Sequence, residues 1–257
     1  MEQKHMEPIE PPSLWNLILE GRWIFELGSY YASYPLLKKA PKGDGHPVMV
    51  LPGFMTGDLV TKPLRRYLKA MGYTVYGWEQ GINFGDHFHP EDGLDVETGV
   101  IQHLDAIHRR HGQKVSLVGW SLGGVYAREI ARAFPEHIRM VITLGSPFRD
   151  PITATNVRWL YEALNGYKLQ SVDRSVFARM RTPPPVPTTS IYTKSDGIVS
   201  WKSCLEEESK TSENIRVPGS HQGLGHNPIA LMIIAKRLAQ EEGAWSHYHA
   251  EADAELV

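Results

Sequence analysis

Apolar residues fall along this chain in short runs separated by longer amphipathic stretches, the pattern of a parallel sheet flanked by helices. The run 48–53 (VMVLPG) reads as a buried strand, and 62–72 as a helix stopped by Gly72. Further strands are expected at 73–79, 114–120, 139–147, 188–196 and 214–221, with helices at 95–112 and 121–135 between them. A closing helix over 227–243 has Asn227 as N-cap and Pro228 in its first position. About six strands result, flanked by helices, in one α/β domain spanning 1–257.

Two stretches fall outside that alternation. Residues 148–186 are too long for a simple connection and carry two helical patterns, 154–164 and 173–180, before the stiff TPPPVP. A short helical cap inserted over the C-terminal edge of the sheet is expected, where ligands of open α/β sheets bind. The N-terminal extension, 1–45, contains a 25-residue apolar stretch at 13–37. Glu20, Arg22 and Glu26 lie mid-run, where each would be costly in hydrocarbon. An amphipathic helix packed on the domain or lining a pocket entrance is therefore expected rather than a transmembrane segment.

Composition narrows the partners. At 42% hydrophobic and 22% charged, with net charge -2, the chain has no electrostatic case for nucleic acid. Cys204 is the sole cysteine, so neither an intrachain disulfide nor a cysteine-based zinc site can form. This suits a reducing, cytoplasmic setting. The start, MEQKHMEPIEPP, lacks the basic and apolar parts of a secretory signal.

Candidate chemistry begins at Gly119-Trp120-Ser121-Leu122-Gly123, which follows one expected strand and opens one expected helix. In that setting G-x-S-x-G holds a serine on a strained turn above the sheet edge, over a helix N-terminus that favours developing negative charge. A serine needs a base, and the base an orienting acid, in the chain order Ser, acid, His. Asp196, before Gly197 and just past the fifth strand, is the preferred acid; Asp150 is the weaker one, and Asp-Gly is also an ordinary turn pair. His221 directly follows the last strand, while His226 opens the closing helix, where the dipole disfavours an imidazolium. The loop LPGFMTGD offers Phe54 N–H as an oxyanion donor beside Leu122 N–H, with Met55 as the fallback. Trp120, Met55 and, in the cap, Trp159 are expected to contact substrate; Trp78 and Asn83 sit at the same edge as pocket-lining candidates. The loop DHFHPED (86–92) lacks a firm ligand spacing and reads as solvated, so no metal and no cofactor are expected.

Taken together, VLPGF, GWSLGG, TSIYTKSDGIV and GSHQGLGHNP resemble the oxyanion turn, nucleophile elbow, acid-bearing strand and histidine loop of α/β-hydrolase fold serine esterases and small bacterial lipases. Pro52 stands where many of these have histidine. The resemblance spans roughly 47–240 and implies Ser121 as nucleophile, Asp196 as acid and His221 as base, acting on a small-molecule or lipid-like ester. An acyltransferase or amidase would use the same groups. A ligand-binding homologue without turnover is the remaining alternative.

Overall fold

The computed structural model describes residues 9–86, 88–89, 93–94, 99–149, 154–171 and 174–248. Six strands form one sheet: β1 (Pro47–Leu51), β2 (Thr74–Tyr76), β3 (Val115–Trp120), β4 (Ile138–Leu144), β5 (Thr188–Tyr192) and β6 (Ser212–Arg216). Their order is β2-β1-β3-β4-β5-β6 and every pairing is parallel. The expected fold class therefore holds. The three central strands are buried along their whole length, which is why they read as unbroken apolar runs rather than as alternating patterns.

Helices cover both faces. On one side α2 (Trp23–Leu37), α3 (Lys62–Ala70) and α8 (Pro228–Leu238) pack through Leu37, Leu64, Leu68, Leu231 and Ile234. On the other, α4 (Gly99–His111) and α5 (Leu122–Ala133) pack through Leu104, Ile107, Val125 and Ile130. Asn227 caps α8 as read from the sequence, its side chain accepting from Ile229 and Ala230 N–H.

The N-terminal stretch is not one continuous helix. A short helix α1 (Leu14–Leu19) meets α2 through a 3-10 turn at Glu20–Arg22. Among the described residues, no helix is long and apolar enough to cross a membrane. Between β4 and β5 lie α6 (Arg158–Asn165) and α7 (Arg174–Arg181). The base of this segment is stitched to the loop after β5, with Ser200 N donating to Ala154 O at 2.7 Å and Asn156 N to Ile198 O at 2.9 Å.

Candidate active site

The sharp turn between β3 and α5 places Ser121 at φ 54°, ψ −122°, a conformation that costs a non-glycine residue about 1–3 kcal/mol. Its surroundings hold it there. Ser121 N–H donates to Leu144 O at 2.8 Å, tying the turn to the end of β4. A side chain at Gly123 would collide with the carbonyls of Leu51 and Pro52, and one at Gly119 with the backbone of Gly123 and Gly124. At Gly53 an added Cβ would stand 3.1 Å from the Ser121 Cβ, so the β1 loop also has to be bare where it passes the serine.

Asp196 and His221 come from the loops after β5 and β6. His221 Nδ1 lies 2.7 Å from Asp196 Oδ2, and Asp196 Oδ1 accepts from Ile198 N at 2.8 Å and Val199 N at 2.7 Å. Both carboxylate oxygens are thus engaged, and Nε2 is the imidazole nitrogen that Asp196 leaves unpaired. An added Cβ at Gly145, the residue after Leu144, would sit 3.0 Å from His221 Nδ1 and 3.3 Å from Asp196 Oδ2. The dipeptide Leu144-Gly145 therefore touches the serine turn on one side and the acid–imidazole pair on the other. Trp120 makes a second junction, its indole N–H donating to His221 O at 3.1 Å. Burial disfavours a charged His221 ring, but the Asp196 charge and hydrogen bond, with the Glu20 charge, outweigh it and raise its pKa above the ordinary histidine value.

The two oxyanion candidates of the β1 loop separate clearly. Met55 N–H donates to Asn83 O at 2.7 Å, whereas among the described residues Phe54 and Leu122 N–H groups have no hydrogen-bond partner. Asn83, fully buried, also donates from Nδ2 to Pro52 O at 2.9 Å. It shapes the turn rather than lining a pocket.

An apolar cavity of about 80 Å³ opens on Ser121, walled by Phe54, Leu122, Val125, Val157, Arg158, Tyr161, Leu169, Phe177, Met180 and Val199. The segment between β4 and β5 supplies more than half of that wall. Trp159 is not part of it: the side chain is 68% exposed, while its neighbours Arg158 and Tyr161 turn inward. Trp120 is a buried support beneath the histidine loop, packed on Gly225, and Met55 is half exposed beyond the cavity. Trp78 is buried in the core with its indole N–H on Gly81 O. His226 lies apart from the Asp196–His221 pair, its Nε2 3.2 Å from Trp23 O, and burial lowers its pKa.

Asp150 and most of the 86–92 loop lie outside the described residues; among those described, no group of three or more His, Cys, Asp or Glu side chains is arranged to hold a metal. Sequence reading missed Glu20, Arg22 and Glu26 as neighbours of the site. Their only signal was charge inside an apolar run.

No family model matches the chain. It is 33% identical over 104 residues (40% of this chain, 37% of the relative) to a pimeloyl-[acyl-carrier protein] methyl ester esterase of Shewanella woodyi. It is 32% identical over 103 residues, 34% of either chain, to a thioesterase of a Dothideomycetidae species. The matched region thus spans only about a third of each relative's length. Among solved structures, Aspergillus fumigatus lipase B superposes with a TM-score of 0.59 at 16% identity, over 78% of this chain and 54% of the lipase. The sheet order, the serine turn between β3 and α5 and this superposition agree, and the chain has the α/β-hydrolase fold.

Proposed function

We propose that the protein hydrolyses carboxylic esters through an acyl-enzyme formed on Ser121. The observation that carries this reading is the junction at Leu144-Gly145, where the strained serine turn and the Asp196–His221 pair adjoin the same two residues. Ser121 Oγ attacks the ester carbonyl as His221 Nε2 takes its proton, with Asp196 holding the ring and stabilising the imidazolium. The unpartnered N–H groups of Phe54 and Leu122 receive the oxyanion, aided by the N-terminus of α5. The tetrahedral adduct then expels the alcohol, which leaves with the proton from His221. Water, activated by the same imidazole, releases the acid and restores the serine.

The cavity wall fits an apolar acyl chain on a small-molecule or lipid-like ester. Residues 148–186 serve as the cap that shapes it, and 1–45 as an extension of a single domain. One buried, unpaired cysteine, Cys204, supports a cytoplasmic setting. The chemistry uses only side chains and backbone, with no cofactor.

The test is a rapid-mix assay with p-nitrophenyl butyrate and mass spectrometry of the quenched protein. A stoichiometric burst with a butyryl adduct on Ser121 is expected. Steady release with no adduct on this serine would discard the reading. Added alcohols and amines distinguish acyl transfer, and p-nitroanilides distinguish amide cleavage.

A further inference from the structure

Glu20 forms no part of the cavity wall, yet its carboxylate is where the acid loop and the base loop meet. Oε1 accepts from Gly197 N at 2.7 Å and from His221 N at 2.9 Å, and Oε2 accepts from Gln222 N at 2.9 Å. Gly197 directly follows Asp196, and His221 is the candidate base itself. The side chain is buried, and the 3-10 turn at Glu20–Arg22 is what swings it inward from the helical segment.

Its neighbours reinforce the same junction. Arg22 Nη2 donates to Ser195 O at 2.8 Å and to Gly219 O at 2.6 Å, so one guanidinium also bridges the two loops. Glu26 accepts from Ser220 N at 2.9 Å and holds Arg22 Nε at 3.3 Å. Two glycines make room for this approach: a side chain at Gly197 would collide with the α1 backbone at Asn16, and one at Gly223 with the Glu26 carboxylate.

We infer that Glu20 is a positioning residue for the Asp196–His221 pair, setting the spacing of their two loops and placing a negative charge behind the imidazole. A charged group needed only to dock the N-terminal helices could have met any buried donor. These three N–H groups belong to the base, its successor and the residue after the acid. The charge also has a direction of effect. Asp196 and Glu20 both favour the imidazolium of His221. Arg22 and Glu26 bond to the same two loops, His226 bonds to Trp23 O, and the buried Cys204 thiol lies within the field of Asp196.

The inference rests on the esterase reading, so the wild type is assayed first for p-nitrophenyl butyrate turnover and fluorophosphonate labelling. An inert wild type removes both. With an active wild type, Glu20→Gln and Glu20→Ala are compared for melting temperature, kcat, KM and the acid limb of the pH profile. The expected result is a folded Glu20→Gln protein with kcat lowered about ten- to a hundredfold and KM within about twofold, since a carboxylate–imidazole pair out of register loses transition-state geometry rather than substrate affinity. Its acid limb moves about half a pH unit or more to lower pH, because one charge that favours the imidazolium is gone. An unchanged kcat and limb in folded Glu20→Gln overturns the inference, as does a rise in KM alone. Failure of both variants to fold overturns it too, for Glu20 would then serve the whole fold and not the pair.

Discussion

Ser116 Oγ lies 2.8 Å from His46 Nε2, and His46 Nδ1 in turn faces Asp44. The chain thus holds a second serine–histidine–aspartate set, at the N-terminal edge of the sheet, opposite the first. Its surroundings, not its spacing, rule out catalysis. Ser116 is 0% and His46 2% exposed, and burial lowers the His46 pKa where that of His221 is raised. Ser116 lies within β3 in extended conformation, with no helix N-terminus behind it.

The two sets give opposite responses to the same substitution. Ser121→Ala should stay folded and lose about a thousandfold or more in esterase turnover. Ser116→Ala should keep turnover within about threefold while losing about 1–3 kcal/mol of stability, because His46 Nε2 is left buried without its partner. A fluorophosphonate adduct on Ser116 would reverse the assignment.

For the histidines, His221→Ala should reduce turnover at least about a thousandfold and His226→Ala about tenfold or less. Loss of the His226 bond to Trp23 O should instead appear as a lower melting temperature. Asp196→Asn should fall between wild type and His221→Ala. A mild His221→Ala beside a dead His226→Ala would move the base.

The pH profile follows from the sign of the shift. A base works only when neutral, and the His221 pKa is raised above its ordinary 6.5. kcat/KM should therefore be low in acid and rise to a plateau, with its midpoint above pH 6.5. In Asp196→Asn the main charge favouring the imidazolium is gone, and the midpoint should move to lower pH at reduced kcat. A limb centred below 6 in the wild type would contradict this placement of the ring (6 being roughly half a unit under a free imidazole).

Acyl preference tests the cavity wall. Phe177→Leu, which widens the pocket, should raise the ratio of decanoate to butyrate turnover, while Trp159→Ala should leave it unchanged. A nitrophenyl ester series measures both. A Trp159→Ala protein with altered preference and unaltered stability would place the indole on the substrate path.

The central strands, the serine turn and the order of serine, acid and histidine loops were legible because each is written locally, in apolar runs and turn residues. Gly197 was legible as a turn partner of Asp196, but its bareness answers to the backbone of α1, which no local pattern could announce. Trp159 and Tyr161, two residues apart, lie on opposite faces of α6, and packing against Gly85 and Phe54 decides that the tyrosine's face is the inward one. Asn83 looked like a pocket residue because it sits at the right edge; its amide reaches backward to Pro52 instead. Glu20 was the hardest to read. In sequence it is a charge interrupting an apolar run, and its meaning lies in donors about 200 residues away.

That distance bears on how the molecule comes together. The bond from His221 N–H to Glu20 closes a loop of 201 residues, and the one from Gly197 a loop of 177. Contacts of such separation are entropically costly to form early, so the central strands can pair and α5 can wind while the histidine loop is still unmoored. On refolding from denaturant, far-ultraviolet dichroism should recover first and esterase activity later, and the interval between them is the docking of the N-terminal helices. Competence for chemistry would arrive as the final stage of assembly.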